Sequence, residues 1–121
     1  MQNCNITITG STPNTADPDQ SSLTLSDNGQ TNVDPGDTVT WKVGKDSGVG
    51  SIYSIHKDVG SIEVFGPDAS DQPAPQGNSG HWRGTVNPQI EPGSLENYTI
   101  CWTTASGAGP YCYDPAIQVK S

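Results

Sequence analysis

Basic residues are scarce in this chain of 121 residues, which has 5 Lys and Arg against 13 Asp and Glu. The formal net charge of -8 opposes binding to nucleic acid, because such binding depends on cationic side chains that displace counterions from the phosphates. The same imbalance opposes attraction to anionic lipid surfaces. We therefore expect neither a nucleic acid nor a membrane as a partner, and we expect a well-solvated acidic surface.

Long apolar runs are missing as well. No stretch approaches the roughly 18 apolar residues that span a bilayer. The start, MQNCNITITG, has neither the basic region nor the apolar region of a signal peptide. Two interpretations of localisation stay open: a cytoplasmic chain made without export, or a mature exported chain to which Met1 was added.

Cysteine is too rare for a disulfide framework, since the chain has 3 Cys, and the odd number leaves at least one thiol free or paired between chains. Cys4, near the terminus, is expected to be that residue. Cys101 and Cys112 flank a Gly-rich turn, and their role depends on how the two adjoining strands pair.

The apolar residues that are present alternate with polar ones, and 14 Gly and 10 Pro punctuate the chain. This pattern predicts short β-strands in a single domain that spans residues 1–121. In the segment SIYSIHK, Ile52 and Ile55 are three residues apart, so either one faces outward or a bulge intervenes. A long irregular loop is predicted over residues 66–80. The predicted strands are 5–9, 22–26, 38–43, 51–57, 61–65, 82–86 and 98–103, followed by two that carry Tyr111, Tyr113, Ile117 and Val119.

Three motifs in order, PGDTVTW at 35–41, EPGSLENYTI at 91–100 and GPYCYDPAIQV at 109–119, resemble the cupredoxin family. The resemblance covers about half of the chain, and immunoglobulin-like sandwiches also use PGDxV turns. It implies an all-β fold, an antiparallel Greek-key β-sandwich of about seven or eight strands, either cupredoxin-like or immunoglobulin-like.

The resemblance does not extend to copper. A type 1 site needs two His and a Cys thiolate, often with an axial Met. In the family, the Cys follows the GxYxY segment, and that position is Pro115 here. No His or Met follows it. We expect no cofactor.

The pairing of the last hairpin follows from which residues share a face. If Tyr98, Ile100 and Trp102 face the core, the next strand must offer Tyr111 and Tyr113 to the same side. This register pairs Trp102 with Tyr111 and Ile100 with Tyr113. It also places Cys101 opposite Cys112 on the outer face, which predicts a disulfide under oxidising conditions and two neighbouring thiols in a reducing cytosol.

A binding surface is predicted where Trp82 stands beside His81, Arg83 and the loop residue Asn78. An exposed Trp next to polar residues stacks on sugar rings or anchors protein contacts, although Trp82 also suits the closing of one end of a sandwich. We therefore expect a non-enzymatic binding or structural module whose partner is a carbohydrate or a protein.

Two cation sites are weighed against this expectation. The alternative function is a copper or zinc protein that uses His56, His81 and Cys112. The acidic loops around Asp17, Asp19 and Asp27 offer oxygen ligands suited to Ca²⁺. Most acidic residues lie in turns, where Asp caps the backbone, and no nucleophile motif is present, so we expect no enzyme. A hydrolase, the third class of function, would need two carboxylates that converge in a cleft.

Overall fold

The computed structural model describes residues 3–17, 20–27, 30–66, 68–76 and 80–120. Ten strands lie in this part of the chain, together with a 3-10 turn at Ala69–Asp71. The strands are β1 (Asn3–Thr12), β2 (Ser22–Leu25), β3 (Gln30–Val33), β4 (Thr38–Val43), β5 (Val49–Lys57), β6 (Ala74–Pro75), β7 (Trp82–Thr85), β8 (Leu95–Thr104), β9 (Tyr111–Tyr113) and β10 (Ala116–Val119).

The strands form two sheets, which confirms the predicted all-β sandwich. The first sheet has the order β2-β1-β4-β7-β6, and the second has the order β3-β10-β8-β5, with β9 also paired to β8. The sheets are mixed rather than antiparallel throughout, because β1 runs parallel to β4 and β3 runs parallel to β10. After β2 the chain crosses to the second sheet, where it forms β3, and then returns to the first sheet as β4. Parallel neighbours such as β1 and β4 require a crossover of this kind.

The alternation of apolar and polar residues in the predicted strands places one face of each strand in the core. Ile6 and Ile8 of β1 are fully buried, and Leu23 and Leu25 of β2 are almost so. Trp41 is fully buried at the centre of β4. These side chains line the space between the sheets, which is how a strand with one apolar face stabilises a sandwich.

The irregular spacing in β5 is resolved by bulges. The pairing with β8 shifts between Val49 and Ser51 and again between Ile52 and Ser54, so that Gly50 and Tyr53 are the extra residues. Ile52 and Ile55 are therefore both buried, although they are three residues apart. A bulge turns the following residues over by one position, which keeps both isoleucines on the core side.

The strand predicted over 61–65 is wrong. This segment forms only an isolated bridge between Phe65 and Val86, and Ile62 is 54% exposed while Val64 is fully buried. The backbone amides here are satisfied by carboxylates instead of a neighbouring strand. The Val64 N–H donates to Oε1 of Glu96 at 2.9 Å, and the Phe65 N–H donates to Oε1 of Glu63 at 3.1 Å.

A contact between Trp41 and Tyr98 joins the two sheets at the centre of the core. The indole Nε1 of Trp41 in the first sheet donates to the hydroxyl of Tyr98 in the second at 3.1 Å, and both residues are fully buried. Their rings meet edge to face at 5.8 Å between centroids, and Phe65 packs on Trp41 at the same distance. The hydrogen bond satisfies two polar atoms that burial would otherwise leave unpaired.

Trp102 offers a matched comparison for this hydrogen bond. It is also fully buried, but its Nε1 has no hydrogen-bond partner among the described residues. We expect Trp41→Phe to destabilise the fold by about 1–2 kcal/mol more than Trp102→Phe, because only the first change leaves the buried Tyr98 hydroxyl without its hydrogen-bond donor. Urea unfolding of both variants measures the difference, and equal losses would contradict the role given to the hydrogen bond.

Candidate functional site

The hairpin of β8 and β9 has the predicted register. Cys101 lies opposite Cys112, with Ile100 opposite Tyr113 and Trp102 opposite Tyr111. The two cysteines form a disulfide with their Cα atoms 4.1 Å apart, which confirms the predicted pairing. Because side chains alternate along a strand, the disulfide lies on the sheet face that points away from the core.

An open groove of about 460 Å³ lies over this disulfide. Its walls come from separate parts of the chain: β5, β8, the segment after β9 and the segment before β2. His56 of β5 lies directly opposite Thr99 of β8, so the pairing of these strands sets two of the polar groups side by side. The lining residues are Gln20, His56, Thr99, Cys101, Cys112 and Asp114.

Two carboxylates meet at the hydroxyl of Thr99. Its Oγ1 lies 2.5 Å from Oδ1 of Asp114 and also contacts Oδ1 of Asp58. A hydroxyl has a single proton, so it satisfies one of the two carboxylates at a time. The edge of the groove is therefore acidic and rich in hydrogen-bond acceptors.

Two side chains of the groove, those of Gln20 and His56, are exposed. Within the described residues, neither the side-chain carboxamide of Gln20 nor the imidazole of His56 forms a hydrogen bond. An amide and a neutral imidazole each offer a donor and an acceptor. The groove thus presents both kinds of group to a ligand.

A second hollow of about 410 Å³ adjoins the first and shares Asp114 with it. It lies at the end of β5, where the chain turns toward the segment that packs over Glu96. Its other lining residues are Asp58, Val59, Gly60, Ser61 and Asn97.

Two of the residues predicted for the binding surface, Trp82 and Arg83, lie in β7 of the other sheet, and His81 directly precedes that strand. Trp82 shares its side of β7 with the buried Gly84 and is itself half-buried and packed against the core. His81 is half-buried, and Arg83 is exposed on the opposite face. Asn78 lies outside the described residues. Trp82 thus closes part of one end of the sandwich and exposes only the remainder of its ring.

The alternative metal set does not assemble with its sulfur ligand. Cys112 is bonded to Cys101 and is not a thiolate, while His56 and His81 belong to segments of different sheets. In the described ranges, no three His, Cys, Asp or Glu side chains are grouped so as to hold a metal ion.

The Ca²⁺ candidate falls partly outside the described residues, which omit Asp19, Asn28 and Gly29. Of its remaining acids, Asp17 is exposed. The carboxylate of Asp27 accepts a hydrogen bond from the Thr31 hydroxyl, which gives it a role in the turn before β3.

Cys4 is a free cysteine, half-buried in β1. Its thiol points at Oδ2 of Asp37, with the sulfur 3.9 Å away. Burial, together with the charge of Asp37, raises the pKa of the Cys4 thiol above its ordinary value. A raised pKa disfavours the thiolate, which is the reactive form of a cysteine.

Glu96 is a buried acid that the sequence interpretation did not single out. Its side chain is 1% exposed and lies on the core side of β8, in phase with Tyr98 and Ile100. The pKa of Glu96 is raised to about 7, and burial is the largest cause. The hydrogen bond from the Val64 N–H acts in the opposite direction, and the neighbouring charge of Glu63 adds to the increase. The sequence does indicate this burial, because every second residue of β8 faces the core and Glu96 is in step with Tyr98 and Ile100.

No protein-family model matches this chain, and no curated protein is significantly similar to it. Within the described residues, no helix has the length and apolar character needed to cross a membrane.

The disulfide is expected to stabilise the fold by about 2–3 kcal/mol, because it closes a short loop in the unfolded chain. The double variant Cys101→Ala and Cys112→Ala should lose that amount in urea unfolding, whereas Cys4→Ala leaves the bond intact. Alkylation of the denatured, unreduced protein should label Cys4 alone, as read from the intact mass. Labelling of all three cysteines would contradict the pairing.

Stability is expected to fall as pH rises between about 4.5 and 7, because folded Glu96 keeps its proton at a pH where the unfolded residue has lost it. The contribution is fully present below the unfolded pKa and is lost through the folded pKa. Glu96→Gln keeps the acceptor for Val64 and removes the charge. It should stabilise the protein at about pH 8 by about 3 kcal/mol and change little at about pH 4.5.

The matched control for this change is Glu91→Gln, at an exposed position of the turn before β8. Thermal or urea unfolding over the pH range measures both variants. If Glu96→Gln and Glu91→Gln have the same pH profile as the parent, Glu96 is not the group that causes the dependence.

Proposed function

We propose that this protein is a non-enzymatic module that binds carbohydrate, and that the groove over the Cys101–Cys112 disulfide is its binding site. The observation that carries the proposal is the open cavity of about 460 Å³, with four polar side chains around a disulfide floor. Two of those side chains, Gln20 and His56, have no hydrogen-bond partner within the described part of the chain.

The chemistry of the lining favours a polyhydroxylated ligand. Sugar hydroxyls both donate and accept, and they match a set that contains carboxylate, amide, imidazole and hydroxyl groups. Sites for apolar small molecules are lined mainly by hydrophobic side chains, and protein interfaces centre on buried aromatic anchors. The groove lining has neither, so carbohydrate is the better supported of the two partners expected from the sequence.

An exposed aromatic residue stands on the same strand as His56. Tyr53 is 63% exposed and projects from the bulge of β5, next to Ser54, which pairs with Cys101. A flat ring of this kind offers an apolar face and a polar tip to a sugar. Tyr53 is not one of the groove's lining residues, so it would add a contact beside the groove rather than within it.

Rigidity of the groove supports binding. His56 and Thr99 are held by paired strands, and the disulfide fixes β9 to β8. Side chains that are already ordered lose less conformational entropy when a ligand binds. Because less entropy is lost, several weak polar contacts at an exposed surface are enough for measurable binding.

We infer binding without turnover from the contacts of Thr99. Its hydroxyl meets the carboxylates of Asp58 and Asp114 rather than an imidazole. Glycoside hydrolysis uses two carboxylates that flank the scissile bond, whereas here both carboxylates meet at one hydroxyl on the same edge of the groove. Chromatography of each bound glycan after incubation tests this, and formation of shorter products would contradict it.

Binding is expected for at least one class in a panel of immobilised neutral glycans. His56→Ala and Gln20→Ala should each weaken that binding by about tenfold, because each removes a hydrogen-bonding group from the groove. Isothermal titration calorimetry with the soluble form of the bound glycan measures the loss. His81→Ala is the matched control, since it removes the chain's other histidine from the other sheet.

Trp82→Ala separates the groove from the surface predicted at the start of β7. If Trp82→Ala abolishes binding and His56→Ala does not, the module binds carbohydrate through the end of the sandwich. Absence of binding to every glycan, together with capture of a protein partner, would overturn the carbohydrate proposal in favour of a protein-binding module.

A further inference from the structure

The two hollows on the outer face of the second sheet share a wall. We propose that they form one trough that binds a neutral, linear oligosaccharide along its length, with Asp114 at the junction of two subsites. This inference rests on the proposed function and adds the length and charge of the ligand. It follows from the position of Asp114, which lines both the hollow of about 460 Å³ and that of about 410 Å³.

Continuity between the hollows is built by hydrogen bonds at Thr99. Its hydroxyl, in the first hollow, contacts Asp114 of the shared wall and Asp58 of the second hollow. The three side chains are thereby fixed relative to one another across the junction. A chain-like ligand that passes over them meets acceptors in both subsites.

The second hollow is held in shape by its backbone. The Asp58 N–H donates to the Asn97 carbonyl at 2.9 Å, and the Asn97 N–H donates to Oγ of Ser61 at 2.8 Å. The turn closes through the Ser61 N–H, which donates to the Asp58 carbonyl at 3.1 Å, with Gly60 at a φ of 84°. The segment 58–61 is thus tied to β8 before any ligand arrives, which lowers the cost of binding.

Val59 gives the second hollow an apolar surface. It is fully exposed at the tip of the turn, with no cover from the described residues. An apolar side chain next to the carboxamide of Asn97 suits the alternation of C–H faces and hydroxyls along a sugar chain. The trough therefore offers polar contacts in both subsites and an apolar contact in the second.

The charge of the trough selects against acidic glycans. Asp58 and Asp114 are its charged lining residues, and none of the residues that line either hollow is Lys or Arg. Lys57 lies nearby and its ammonium group donates to the carbonyl of Asp58 at 3.4 Å, but it lines neither hollow. Uronates and sulfated sugars would meet like charge here, on a chain whose net charge is already -8.

The experiment is calorimetry with cello-, manno- and chito-oligosaccharides, each as the disaccharide and the hexasaccharide, and with the oligogalacturonates of the same lengths. For the series that binds, the hexasaccharide should bind about tenfold or more tightly than the disaccharide. Asn97→Ala should reduce this ratio, because it removes a side chain from the second subsite. Asn32→Ala, an exposed Asn of β3 that lines neither hollow, should leave the ratio unchanged.

The outcomes separate this inference from the proposed function. Equal affinities of disaccharide and hexasaccharide would overturn the two-subsite trough and leave carbohydrate binding in place. Oligogalacturonates that bind as tightly as neutral chains would overturn the assigned charge preference. No binding by any oligosaccharide, with each variant's thermal unfolding unchanged, would overturn both the trough and the proposed function.

Discussion

The sandwich depends on one constraint: the two sheets must pack around large aromatic side chains without leaving the polar atoms of those side chains buried and unpaired. The hydrogen bond from the Trp41 indole to the Tyr98 hydroxyl meets this requirement at the centre of the core. It fixes the distance between β4 and β8, and Phe65 fills the space beside it. Because β8 is positioned from the inside in this way, its outer face, with Thr99 and Cys101, has a defined place for the groove.

Much of this arrangement is contained in the alternation of the chain. The apolar residues of β1, β2 and β4 and the register of the β8–β9 hairpin follow from parity alone, since one face of each strand must be buried. The mixed sheets do not follow, because strand direction depends on crossovers that leave no mark on a strand's own sequence. β3 is missed because QTNV has too little apolar content to stand out, although Thr31 and Val33 are both buried. The segment 61–65 misleads for the opposite reason, since it alternates like a strand while carboxylates take its amide hydrogens.

The candidate site was harder to anticipate than the fold. The chain brings Gln20, His56 and Asp114 together from three distant parts of the sequence, and no local motif marks any of them. The disulfide that floors the groove was predictable, because its two residues belong to one hairpin. Trp82 stands beside polar residues in the sequence, yet it is half-buried against the core, because its parity in β7 points that way. Its role in binding stays a prediction.

The bulges of β5 have a consequence for how copies of this chain behave in a crowded solution. β5 is a nine-residue strand at the end of the second sheet, where no strand of the described residues pairs with its outer edge. A long regular edge invites another chain to add a strand and is a starting point for aggregation. The extra residues Gly50 and Tyr53 break the even spacing of that edge at two points. The same bulges that keep Ile52 and Ile55 in the core therefore disfavour pairing of β5 with a strand of another molecule.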